Sequence, residues 1–193
     1  MSVLFDIIFI ILHLWGDNLK NSRLIAYSGV ATALSVVMLF LGSLIWVLGY
    51  TMPLIASLIM IILLDSISQK CALLTYVATS AVSFILLSDK ECLLLYVLFF
   101  GYYPLIRDKI NDIKPKFLSI LLKYFTFNAS MILTQVLCVY VFGIPFDDML
   151  GKWGIVLFIV CLNLVFTVFD KLYGLLLKLY RIKLKKKVEK YLK

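Results

Sequence analysis

Residues 58–64 read LIMIILL, seven apolar side chains without a polar interruption. A strand of a membrane β-barrel alternates apolar and polar positions, and this stretch does not alternate. The apolar character extends over residues 52–67, close to the roughly 17 to 25 residues with which a helix crosses a bilayer. The stretch therefore predicts a membrane-spanning helix, with Pro53 in its first turn, where the missing N–H is not needed.

The composition of the whole chain supports a membrane class. Of the 193 residues, 63% are hydrophobic and 16% are charged, whereas a soluble domain is about half apolar and about a quarter charged. Polar stretches are too short for a separate soluble domain. We therefore expect one all-α membrane domain over residues 1–193.

Six stretches are long and apolar enough to be predicted as spans. They cover residues 24–48, 52–67, 71–87, 92–106, 117–142 and 153–169. Two flanking segments are predicted to lie on the membrane surface. Residues 1–20 form an interfacial helix, with a tilted or re-entrant insertion as the alternative, and residues 170–193 form a basic amphipathic helix.

The positions of the basic residues predict the orientation. If the first span starts in the cytoplasm, all 19 Lys and Arg residues except Lys90 and Lys152 lie on the cytoplasmic side. Cytoplasmic loops are enriched in these residues, and the inner leaflet is anionic. We therefore expect a protein of the bacterial cell membrane with both termini in the cytoplasm. Its basic tail would contact anionic inner-leaflet lipid rather than nucleic acid.

Sequence signatures of catalysis and metal binding are missing. His13 is the one histidine, and no H-E-x-x-H, G-x-S-x-G or Walker A motif occurs. The four cysteines form no C-x-x-C pair and lie in or beside apolar runs. We therefore expect no enzyme activity, no cofactor and no metal site.

Small residues follow one face of the first predicted span. Ala26, Gly29 and Ala33 stack at helical spacing. Small side chains let a second backbone approach closely, which matters in lipid because no hydrophobic effect drives helices together. Two interpretations are open: packing against another helix of the same chain, or a docking groove for a partner subunit.

Residues 29–38, GVATALSVVM, resemble the first helix of the substrate-binding S components of energy-coupling factor transporters. The resemblance implies six spans and both ends in the cytoplasm. It also implies a first helix that docks on a coupling membrane subunit through an A-x-x-x-A-type motif. Gly29 and Ala33 occupy the motif positions, with glycine in place of the usual alanine. The resemblance further implies partner ATPases and a vitamin or micronutrient substrate that binds in the outer half of the protein.

Polar residues inside the predicted spans are costly in hydrocarbon and are therefore candidates for function. One interpretation is hydrogen bonding between helices. The other is a small-molecule site that opens outward. The residues predicted for such a site are Trp46 and Tyr50 in a lid, Ser83, Tyr96 and Gln135 in the walls, and Asn163 at the floor.

Two function classes follow from these observations. The first is a substrate-binding subunit of a vitamin or micronutrient uptake transporter. The second is a structural subunit of a bacterial membrane assembly, in which the intramembrane polar residues only pack. Asp65 and Asp170, at inner span ends, are predicted to be hydrated or paired with Lys70 and Lys171.

Overall fold

A computed structural model describes residues 22–45, 48–143 and 151–184. Within these ranges the chain forms helices and no strand, which confirms the predicted all-α class there. The helices are α1 (Ser22–Leu44), α2 (Thr51–Ser66), α3 (Gln69–Leu86), α4 (Lys90–Leu95), α5 (Tyr103–Asn111), α6 (Lys116–Tyr140) and α7 (Gly151–Leu179). The predicted interfacial segment 1–20, Trp46 and the end of the basic tail lie outside the described residues.

Four stretches of these helices are long and apolar enough to cross a membrane: Ile25–Leu44, Gln69–Leu86, Lys116–Tyr140 and Ile159–Lys183. The apolar helix Thr51–Ser66 is shorter. Large apolar side chains are exposed along the surface; Ile85 is 83% and Phe117 75% exposed. A surface this apolar suits lipid rather than water. Four of the six predicted spans thus correspond to helices of spanning length.

The predicted fourth span, residues 92–106, is interrupted in the structure. α4 continues as a π-helical segment over Tyr96–Phe100, and a turn at Gly101 separates it from α5. The Gly101 N–H donates to the Tyr96 carbonyl at 2.7 Å, and the Tyr76 hydroxyl donates to the Val97 carbonyl at 2.8 Å. The Tyr76 ring lies so close that a Cβ on Gly101 would be 2.5 Å from it. The break is therefore held by a tyrosine from α3.

The sixth predicted span and the beginning of the basic tail form one helix in the structure. α7 runs unbroken from Gly151 to Leu179 and continues as a π-helical segment over Tyr180–Leu184. No proline interrupts this stretch. The described part of the predicted tail, residues 170–184, is therefore a continuation of a membrane helix.

Contacts between helix ends show that α2, α4 and α7 run in one direction and α6 in the opposite direction. At one end, Glu91 in the first turn of α4 contacts Tyr50, which precedes α2, and Gln135 near the end of α6. At the other end, Asp65 near the end of α2 binds Arg181, which follows α7. We refer to these as the Glu91 end and the Asp65 end. In the predicted orientation they face outward and the cytoplasm, respectively.

Aromatic rings fill the core between α4, its π-helical extension, α5, α6 and α7. The rings of Phe127 and Phe166 stack with centroids 4.6 Å apart, and those of Phe99 and Tyr103 stack at 4.8 Å. Phe99 also meets Phe127 edge to face at 5.0 Å. α1 packs mainly against α2 and α3, and its Leu39 joins the same core. One face of α1 is therefore left outside the core.

Candidate substrate site and docking face

The small residues of α1 lie on the face that the fold leaves outside. Ala26, Gly29 and Ala33 are all exposed, and a Cβ added to Gly29 would meet no atom within 4 Å. The buried residues of α1 include Ser28, Ala31, Ser35, Val36 and Leu39, which face the rest of the chain. Packing against another helix of the described part therefore does not account for the small face.

At the Glu91 end, three polar side chains from distant parts of the chain meet. The Oε1 atom of Glu91 accepts a hydrogen bond from the Tyr50 hydroxyl at 2.7 Å and from Nε2 of Gln135 at 3.2 Å. All three side chains are half-buried. The structure thus brings together two predicted site residues, Tyr50 and Gln135, through a carboxylate that the prediction did not include.

Local capping fixes Glu91 in this position. Asp89 is the N-cap of α4, and its Oδ1 accepts the backbone N–H groups of Glu91 at 2.9 Å and Cys92 at 3.3 Å. A side-chain oxygen at this position satisfies N–H groups that have no partner within the helix. Glu91 therefore lies in the first turn, where the helix dipole favours an acidic side chain.

The Tyr50 hydroxyl is held as a hydrogen-bond donor. Burial, the hydrogen bond to Glu91 and the negative charges of Glu91 and Asp89 raise the pKa of Tyr50 well above its ordinary value. The phenol is therefore protonated throughout the physiological range. Its proton is available to Glu91, which as a carboxylate accepts hydrogen bonds and donates none.

Ser83 and Tyr96, two further predicted site residues, are fully buried. The Ser83 hydroxyl has no hydrogen-bond partner in the described part of the chain, and the Tyr96 hydroxyl contacts that of Thr79. The hydroxyls of Ser28 and Ser35 on α1 and of Thr75 on α3 also have no hydrogen-bond partner in the described residues. An unsatisfied buried hydroxyl costs about 1–3 kcal/mol. All of these side chains are buried, and the hydrogen bonds to Glu91 within the described ranges come from Tyr50 and Gln135.

Asn163, the predicted floor of the site, forms a reciprocal pair with Asn128. Nδ2 of Asn128 donates to Oδ1 of Asn163 at 2.9 Å, and Nδ2 of Asn163 donates to Oδ1 of Asn128 at 3.1 Å. Each amide also donates to the backbone carbonyl four residues earlier: Asn128 to Tyr124 and Asn163 to Ile159, both at 2.8 Å. Asn163 is therefore engaged in bonding between α6 and α7.

Toward the Asp65 end, Asp170 on α7 is the centre of a charged network. Its carboxylate accepts hydrogen bonds from Arg107 Nε at 2.6 Å, Lys123 Nζ at 2.8 Å and the Tyr103 hydroxyl at 2.8 Å. The Arg107 guanidinium also lies over the Tyr173 ring, 5.0 Å from its centroid. Asp170 therefore pairs with cations of α5 and α6 instead of the predicted Lys171. Asp65 binds Arg181 at 2.7 Å.

The described residues contain no group of three or more His, Cys, Asp or Glu side chains that could hold a metal ion. Comparisons of the chain with protein-family models, with characterised proteins and with solved structures find no match. The arrangement of the side chains is therefore the basis for a functional proposal.

Proposed function

We propose that the protein is the substrate-binding membrane subunit of a transporter that takes up a small molecule, of the vitamin or micronutrient class, and is energised by partner subunits. The observation that carries this proposal is the exposed small face of α1. Ala26, Gly29 and Ala33 point away from the packed helices. In lipid, small residues in this pattern permit close helix packing, and a coupling membrane subunit is the partner proposed here.

The polar group at the Glu91 end supports the substrate-binding part of the proposal. Tyr50, Glu91 and Gln135 are half-buried and hydrogen-bonded, so they offer both donors and acceptors to a ligand. We place this end at the outer surface and both termini in the cytoplasm, because the basic residues are then concentrated inside. Docking on the coupling subunit and substrate capture would use different parts of the molecule.

The docking face is tested by capturing the full-length protein from bacterial membranes in detergent and identifying bound subunits by native mass spectrometry. We expect a membrane subunit and an ATPase pair on the wild-type protein, and loss of both on the Gly29→Leu/Ala33→Leu double variant. Larger side chains would hold the partner backbone away from α1. Ala129 on α6 is also exposed, so Ala129→Leu is a matched control that should keep the partners. Equal capture by all three proteins would overturn the proposal.

A second candidate, a structural subunit of a membrane assembly, is favoured by the Asn128–Asn163 pair. Both amides bond to each other and to backbone carbonyls, as expected for residues that only pack helices together. The same mass spectrometry separates the candidates. A structural subunit would retain other membrane proteins without an ATPase pair and without a small molecule.

A further inference from the structure

Within the described residues, Glu91 differs from the acidic residues of the Asp65 end in having no cationic partner. Asp170 is bound by Arg107 and Lys123, and Asp65 by Arg181. No lysine or arginine of the described part lies within 4 Å of the Glu91 carboxylate. A half-buried carboxylate without a counter-ion attracts positive charge more strongly than a hydrated one, because water screens it less.

The neighbouring Lys90 does not supply the missing charge. Its Nζ donates to the carbonyls of Leu87 at 2.7 Å and Phe84 at 3.2 Å, at the end of α3. The ammonium also lies over the Phe84 ring, 5.4 Å from the centroid. Lys90 is therefore occupied in capping α3. Asp89, with its own negative charge, is occupied in capping α4.

The hydrogen bonds to Glu91 leave half of its carboxylate available. Tyr50 and Gln135 both donate to Oε1, while Oε2 accepts no hydrogen bond from the described side chains. The two donors are neutral and come from different elements, so they orient the carboxylate without cancelling its charge. Such a group is prepared to receive a further donor that carries positive charge.

We propose that Glu91 binds the ammonium group of a small organic cation, with Oε2 as the acceptor. This inference rests on the proposed function and gives its substrate a chemical class. An organic cation suits the site better than a metal ion because Glu91 and Asp89 are its described acidic residues, and Asp89 is turned to the backbone. The ring of Tyr50, beside the carboxylate, adds a surface suited to a cationic group.

Thermal unfolding of the detergent-purified full-length protein tests this proposal with three probes of similar size: benzylammonium, benzyl alcohol and benzoate. We expect the wild-type protein to bind benzylammonium at least about tenfold more tightly than benzyl alcohol, and benzoate least of all. Each affinity is taken from the rise in midpoint temperature with probe concentration. Equal affinities for the three probes, or no rise with any of them, would overturn the proposal.

Two variants separate a contact with Glu91 from a general negative potential. Glu91→Gln keeps an oxygen that Tyr50 and Gln135 can reach but removes the charge, so the preference for benzylammonium should disappear. Asp89→Asn removes a neighbouring charge and keeps a capping residue, so most of the preference should remain. If the preference survives in Glu91→Gln, or if calcium chloride at the same ionic strength reproduces the rise, the organic-cation proposal is wrong.

The isolated chain is used in these measurements, so they are independent of partner capture. Cation preference in a protein that retains no ATPase pair would support the Glu91 site and contradict the transporter function. Partner capture by a protein without cation preference would support the transporter function and contradict the Glu91 site.

Discussion

Arg107 on α5 donates from Nε to the Asp170 carboxylate on α7 at 2.6 Å, although 63 residues separate them in the chain. Nη2 of the same guanidinium donates to the Asp170 backbone carbonyl at 3.0 Å. The side chain of Arg107 is 9% exposed and that of Lys123, the second cation, is 11% exposed. One carboxylate is therefore shared by two largely buried cations and joins α5, α6 and α7.

Removing this carboxylate should destabilise the protein strongly. Asp170→Ala leaves Arg107 and Lys123 buried without their shared acceptor, and we expect a loss of about 3–5 kcal/mol. Unfolding in mixed detergent micelles with increasing dodecyl sulfate measures the change in free energy. The control is Asp108→Ala, because Asp108 lies 3.7 Å from Arg107 Nη1 and is 63% exposed. That variant should lose less than about 1 kcal/mol, and losses of equal size in both would contradict the assigned role of Asp170.

The reciprocal Asn128–Asn163 pair should give a measurable coupling energy. In a double-mutant cycle, Asn128→Ala and Asn163→Ala each remove both amide bonds between α6 and α7, so the second substitution should cost less than the first. We expect a coupling energy of about 0.6 kcal/mol, with an upper bound near 1.7 kcal/mol. The same unfolding assay measures it for both single variants and the double variant. Strictly additive losses would show that the two amides act independently.

The helices of this fold could largely be predicted because the signal for each of them is local. The apolar run at residues 58–64 indicates a buried or lipid-facing helix independently of the rest of the chain. Pro53 lies in the first turn of α2, as predicted. The interruption of the fourth span could not be predicted in the same way. It depends on Tyr76 of α3 packing on Gly101, a contact that no local pattern indicates.

The pairing of charged and polar groups was beyond local patterns for the same reason. Lys171 is next to Asp170 in the chain, but adjacent residues of a helix do not face each other. The partners of Asp170 are 63 and 47 residues away, and those of Glu91 are 41 and 44 residues away. Only the assembled bundle determines which of these groups meet. An acid two residues after a capping Asp89 was the available sign of Glu91.

The small face of α1 was visible in the sequence, but its direction was not. The spacing of Ala26, Gly29 and Ala33 defines one face of the helix. That face could pack against another helix of the same chain or against a partner subunit. The direction depends on where α2 and α3 pack, which is the side of Ser28, Ser35 and Leu39.

Two glycines should respond in opposite ways to the same substitution. In Gly101→Ala, the new Cβ would lie 2.5 Å from the Tyr76 ring, so the ring must move and its hydroxyl loses the Val97 carbonyl. We expect a loss of about 1–3 kcal/mol. Gly29→Ala meets open space and replaces a helical glycine, which stabilises a helix by roughly 0.5–1 kcal/mol.

Comparing the midpoints of thermal unfolding for the two variants tests this contrast. Gly29→Ala also places alanine at the first position of the proposed docking motif, so it should retain the partners that the Gly29→Leu/Ala33→Leu variant is expected to lose. Lower stability in Gly29→Ala than in Gly101→Ala would show that the packing around these glycines is misassigned.

The proposed orientation places the Glu91 end outside the cell and α5 at the cytoplasmic surface. Ser88, in the turn before α4, and Asn111, at the end of α5, are exposed, so both tolerate a cysteine label. In a background in which the four native cysteines are replaced, we expect a membrane-impermeant maleimide to label Ser88→Cys in intact cells. Asn111→Cys should react only after the membrane is opened, and Ile85→Cys, on the apolar surface, should react poorly in both conditions. Labelling of Ser88→Cys and Asn111→Cys from the same side would show that α4 and α5 do not together cross the membrane, and would contradict the outward placement of Glu91.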